Sequence, residues 1–176
     1  MTRTASALLA ALLCLVIGTQ AASAPKPASL SPKRPGPAEV EIRTVCWHAV
    51  ALADDRGLLI PHPAKGRRVC ERALRSAPRL GIPLAMGAAV LIGESGFYES
   101  AVSSSGAKGP WQTKPHWWPG RRYDSGPKAL ARYHQRSGSW PVALGMYRDG
   151  MVVGESGRHY ARRALGWSRE IEGRRG

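Results

Sequence analysis

From Leu84 to Ile92 the chain reads Leu-Ala-Met-Gly-Ala-Ala-Val-Leu-Ile, without a polar or charged side chain. Wound into a helix, such a run is apolar nearly all round. It has no face to offer solvent and belongs in a core. Pro83 fits the first helical turn, and the run closes on Gly93-Glu94-Ser95-Gly96. The rest of the fold therefore has to wrap around one central helix that ends in a carboxylate.

The flanking segments can supply the wrapping. Val40, Val45, Trp47, Val50 and Leu52 are spaced for an amphipathic helix near 38–53. Asp54-Asp55, Gly57, Pro61 and Pro63 then break the pattern. A second helix is expected near 66–76, and further helices near 127–137, 139–148 and 156–166. Between them lie a Ser/Gly-rich loop after Gly96, a short turn near 106–113 and a Trp/Pro/Gly-rich stretch at 115–127. No alternating pattern is long enough to build a sheet. The expected fold class is all-α, with room for a short hairpin in 97–112.

The ends of the chain read differently. Arg3 is the one charged side chain in residues 1–24. Leu8 to Gly18 is an apolar run, too short to span a bilayer comfortably. The small residues Ala21, Ala22, Ser23 and Ala24 follow, the pattern of a secretory signal peptide. Cleavage after Ala24 would leave Pro25 beside the cut, so Ala21 and Ser23 are equally good ends. Leu13 before Cys14 argues against a lipid anchor. Residues 25–37 carry Pro25, Pro27, Pro32, Pro35 and Pro37 among Ser, Lys and Arg, and read as an extended tether. The folded domain is expected over 38–176.

Loss of the leader lowers the net charge from +14 to +13. A balance this basic implies an anionic partner. Nucleic acid is the usual candidate, but an export signal points to wall polymer or a membrane surface instead. A merely solvated surface is the plainer alternative. Cys46 and Cys70 remain after leader removal. Two cysteines in an exported chain favour one disulfide, here tying the first two helices. Closing a loop of this size contributes roughly 3 kcal/mol in the chain-entropy account.

Glu94 is the residue with chemical promise. A helix C-terminus carries partial negative charge, which opposes ionisation of a carboxyl there. Apolar neighbours disfavour the charged form as well. Both effects raise the pKa, as a general acid toward a glycosidic oxygen requires. On position alone, a helix-end Glu facing solvent is the simpler reading.

The residues that follow add weight. From Glu94 to Gln112 the chain resembles the signature of the soluble lytic transglycosylase family: Glu-Ser, a nearby Phe, Ala-x-Ser, Gly-Ala-x-Gly, then Gln. Glu94, Ser95, Phe97, Ala101, Ser103, Gly106, Ala107, Gly109 and Gln112 fall in register without a gap. A weaker likeness continues at 143–150, where the family shows Ala-Tyr-Asn-Ala-Gly. Tyr147 and Gly150 match, Arg148 replaces Asn and Asp149 replaces Ala. The resemblance covers about residues 80–165.

It implies a lysozyme-like helical fold and cleavage of the MurNAc–GlcNAc β-1,4 bond of peptidoglycan, without a cofactor. Glu94 would be acid and then base. The substrate's N-acetyl group would assist, so that no second carboxylate is needed. Attack by the C6 hydroxyl would leave a 1,6-anhydro end. Ser103 and Ser105 would line the cleft, Gln112 would hold an acetamido or hydroxyl group, and Tyr147 would orient Glu94. Trp111 stands where the family often has Met. Its ring could stack on a sugar or fill the core. Trp117 and Trp118 carry the same pair of readings.

Other chemistries find less support. His48, His62, His116, His134 and His159 show no zinc-helix spacing, and no metal site is expected. Ser95 lies in no Gly-x-Ser-x-Gly elbow. The second Gly-Glu-Ser-Gly, at 154–157, most simply opens the last helix with Ser156 as its cap. A hydrolytic lysozyme would need a base for water, for which Asp124 and Asp149 are the nearby carboxylates. A wall-binding module that has lost catalysis is the other alternative, motivated by Arg148 and Asp149. The expected partner is the peptidoglycan glycan strand in the periplasm or outer wall of a bacterium. Nucleic acid and stable membrane insertion are not expected.

Overall fold

A computed structural model describes residues 35–176; the expected leader, and the expected tether as far as residue 34, lie outside them. The described residues form six α-helices: α1 (Pro37–Asp55), α2 (Pro63–Leu74), α3 (Leu84–Ser95), α4 (Ser125–Ser137), α5 (Trp140–Asp149) and α6 (Glu155–Gly173). A single 3-10 turn, Pro78–Leu80, joins α2 to α3. The fold is all-α, and no described helix is long and apolar enough to cross a membrane.

The apolar run becomes α3 and lies in the core, packed against α1, α2 and α6. Every residue from Leu84 to Ile92 is buried. Full burial of a Leu, Ile or Met side chain contributes about 1.5–3 kcal/mol, so this helix is a main anchor of the domain. Gly87 allows a close approach, because a Cβ there would lie 2.7 Å from a Leu74 methyl. At the other end Gly96 takes the left-handed conformation (φ 53°) and returns its N–H to Ile92. A Cβ at Gly96 would overlap the Leu58 carbonyl oxygen. Glycine thus stops α3 one residue after Ser95.

Cys46 on α1 and Cys70 on α2 are fully buried and joined as a disulfide, with Cα atoms 5.7 Å apart. Three exposed ion pairs tie the ends of α1 and α6: Arg56–Glu170 at 2.6 Å, Arg174–Asp55 at 2.8 Å and Arg175–Glu41 at 3.4 Å. Pairs so exposed contribute between zero and about 1 kcal/mol each.

Three expectations need correction. The helix expected at 156–166 runs to Gly173, because Trp167 and Ile171 continue the buried stripe of Tyr160, Ala161 and Ala164 past Gly166. Ser156 does not cap that helix. The N-cap is Gly154, and the free N–H groups find a different acceptor, described below. The hairpin in 97–112 does not form. Only isolated antiparallel bridges occur, Val102 with Lys108 and Lys108 with Thr113. Gly106, Gly109 and Gln112 have φ of 81°, 75° and 47°, so the chain turns about every three residues and cannot run extended.

Candidate functional site

Glu94 is the penultimate residue of α3 and only partly buried, in contrast to the apolar run before it. It opens into a cleft of about 910 Å³ between the 97–124 loop and the α4–α5 pair. Burial raises its pKa above the ordinary 4.5. The Tyr160 hydroxyl and the charges of Arg148 and Arg163 pull in the opposite direction, but burial prevails. The carboxyl is therefore biased toward its protonated form.

Two tyrosines attend it. Tyr147, on α5, lines the cleft and donates its hydroxyl to the Trp111 carbonyl at 2.6 Å. Tyr160, on α6, is buried, and its hydroxyl faces Glu94 without meeting the geometry of a full hydrogen bond. Both phenols are held well above their usual pKa, first by burial and then by the Glu94 charge. Both stay neutral: Tyr147 gives its proton to the Trp111 carbonyl and lies beside the carboxyl, while the Tyr160 hydroxyl faces it.

The loop that faces Glu94 is pinned by its own hydrogen bonds. Ser95 Oγ donates to the Pro110 carbonyl at 2.8 Å. Gln112 Nε2 donates to the carbonyls of Gly109 at 2.8 Å and Ala101 at 3.2 Å. Ser103 Oγ accepts the Ala107 N–H at 3.0 Å and lies 3.1 Å from Ser105 Oγ. Thr113 and Ser125 share a hydrogen bond at 2.6 Å between hydroxyls. The cleft wall is thus held in place before any ligand enters.

Glu94, Ser103, Ser105, Gln112 and Tyr147 all border this one cleft. Trp111 does not. It is completely buried against α3 and the start of α4, where Gly126 makes room for its ring. No face of that ring is free for a sugar, and its contribution to the cleft is its backbone carbonyl. Trp117 takes the exposed position instead, 70 % exposed on the cleft rim, while Trp118 is partly buried edge-on to Tyr133.

Asp149 also borders the cleft, but its carboxylate is engaged. Oδ2 accepts the N–H groups of Gly154 at 2.9 Å and Gly157 at 2.7 Å. It performs the capping expected of Ser156, at the positive end of α6. Asp124 immediately precedes α4 and is not on the cleft wall.

Sequence reasoning missed Tyr160 and Arg163, which α6 brings to Glu94. The available signal was the buried stripe of α6, in which Tyr160 and Ser168 carry hydroxyls and Tyr160 lies nearer the start of the helix. Among the described residues no three of His, Cys, Asp or Glu come together as metal ligands. Comparison with protein-family models, with curated proteins and with solved structures returns no match.

Proposed function

We propose that this chain is an exported peptidoglycan lytic transglycosylase of lysozyme-like fold, cleaving the MurNAc–GlcNAc bond with Glu94 as its acid and base. The observation that carries the reading is the position of Glu94: a carboxyl of raised pKa, at the end of a buried helix, opening into a cleft large enough for several sugar rings. The likeness in 94–112 supplies the substrate class.

In this mechanism the protonated Glu94 gives its proton to the glycosidic oxygen as the bond to the anomeric carbon breaks. The neighbouring N-acetyl oxygen supports the developing charge. The Glu94 carboxylate then removes the proton of the C6 hydroxyl as that oxygen closes on the anomeric carbon. Tyr147 and Tyr160 limit how far the carboxyl can move. The exposed Trp117 ring offers an apolar face to a sugar ring.

The hydrolytic alternative needs a second carboxylate free to activate water. Besides Glu94, the cleft wall holds only Asp149, whose Oδ2 is committed to two backbone N–H groups. The non-catalytic alternative rested on Arg148 and Asp149. The capping contacts give Asp149 a structural role that is independent of catalysis. The test is Glu94→Gln. Gln keeps the size and cannot carry the proton, and acid–base participation contributes about 100- to 10,000-fold per step. Purified wall incubated with this variant should release no more fragments than wall alone. Release at near wild-type rate would remove Glu94 from the mechanism.

A further inference from the structure

Next to the Glu94 cleft lies a second, open recess of about 600 Å³ that the proposed mechanism leaves unused. Its wall comes from the end of α5 and the first turns of α6: Arg148, Glu155, His159, Tyr160 and Arg163. Gly93 and Arg148 border both this recess and the Glu94 cleft, so the two spaces meet beside the catalytic carboxyl. Having no side chain, Gly93 keeps the junction low.

The charges here are unbalanced. Among the described residues neither Arg148 nor Arg163 forms an ion pair. The Arg163 guanidinium lies over the Trp167 and Tyr160 rings, 5.2 and 5.9 Å from their centroids. Glu155 is the one carboxylate on the recess wall, and it is exposed at the start of α6. The Tyr160 hydroxyl is buried and turned to Glu94, so this residue offers the recess its ring and not a free donor. Two exposed guanidiniums without an ion pair and an exposed imidazole thus face one carboxylate on this wall, and a further carboxylate can take several such donors at once.

We infer that this recess is a carboxylate-binding subsite, which holds an acidic group carried by the glycan whose bond Glu94 cleaves. The inference rests on the reading of the cleft as a glycan site. It adds that the ligand is recognised by its charge as well as its sugar rings. Two carboxylates on such a glycan have the required chemistry: the free lactyl group of a muramyl residue without a peptide, and the acidic groups of a peptide stem. Either would enter the recess while the sugar to which it is attached occupies the cleft.

Binding measured on the full chain carrying Glu94→Gln tests this without turnover. The ligands are a soluble muramyl glycan with free lactyl carboxylates and the same glycan bearing peptide stems, each compared with a copy whose carboxyls are converted to primary amides. At least one carboxylate form should bind about tenfold or more tighter than its amide. Adding Arg163→Gln should remove most of that difference, while measurable binding of the amide forms and an unchanged far-ultraviolet circular dichroism spectrum show that the variant is folded. Adding Arg163→Lys should retain part of it. A gain confined to the peptide-free glycan assigns the lactyl group, and one confined to the stem-bearing glycan assigns the stem. Equal binding of acid and amide, or a gain that survives Arg163→Gln, overturns the subsite and leaves the glycan cleft standing. Binding of none of the four ligands overturns both.

Discussion

The Asp149 carboxylate accepts the Gly157 N–H at 2.7 Å, and through it the last residue of α5 caps the first turn of α6. The contact demands glycine at 157, because a Cβ there would lie 2.5 Å from Asp149 Oδ2 and 2.7 Å from the Gly145 carbonyl oxygen. It also fixes the angle at which α6 presents Tyr160 and Arg163 to Glu94.

Asp149→Ala should therefore destabilise the domain by about 0.5–2 kcal/mol, the usual cost of a lost helix cap. Asp149→Asn keeps an acceptor oxygen and should cost less. Urea unfolding of the two variants measures the difference. Equal stability of Asp149→Ala and the unaltered chain would mean that the two N–H groups are satisfied by water.

A second prediction concerns Trp111. A Cβ added at Gly126 would overlap the Trp111 ring. The ring is fully buried and cannot move outward. Gly126→Ala should cost about 1–3 kcal/mol through overpacking. The shift should reach the cleft, since the Trp111 carbonyl is the acceptor for Tyr147. Near-ultraviolet circular dichroism should report the disturbed tryptophan. An unchanged spectrum with unchanged stability would contradict this packing account.

The raised pKa of Glu94 ties the stability of the fold to pH. Well below pH 4.5 the carboxyl is protonated in both folded and unfolded chains and adds no pH dependence. As pH rises through 4.5 the unfolded chain ionises first, so the folded state loses relative stability. The loss stops growing once pH passes the raised folded value. Glu94→Gln removes this titration. The variant should gain stability over the unaltered chain as pH rises above 4.5, and the gain should vanish near about pH 3. Thermal unfolding across that range is the check. A difference that stays constant with pH would show that burial does not raise the Glu94 pKa.

Much of this was legible in the sequence because the strongest signals are local. A nine-residue apolar run closed by Gly96 specifies a buried helix with Glu94 at its end, and the structure keeps both. Cys46 and Cys70 were the two cysteines left for pairing, and they pair. The misses depend on partners distant in sequence. Trp111 carries no mark distinguishing a stacking platform from a core residue. That distinction depends on Gly126, fifteen residues on, having no side chain. The role of Asp149 depends on backbone N–H groups five and eight residues later, which no side-chain pattern reveals. The extension of α6 past Gly166 follows from the pocket that the rest of the fold prepares for Trp167 and Ile171, and packing of that kind overrides local propensity. The hairpin was lost to positive φ at Gly106, Gly109 and Gln112, and at Gln112 the residue type does not advertise it.

The central claim is the chemistry at Glu94, and the mass of the products tests it most directly. Purified wall should be digested with the chain and the released fragments analysed by mass spectrometry, with lysozyme digestion alongside. A carboxyl that protonates the leaving oxygen and then activates the C6 hydroxyl gives 1,6-anhydro ends, each lighter by one water than the matching lysozyme fragment. Fragments of that lower mass, lost in Glu94→Gln, are the predicted result. Fragments carrying reducing ends, equal in mass to those from lysozyme, would contradict the account and make the protein a hydrolase.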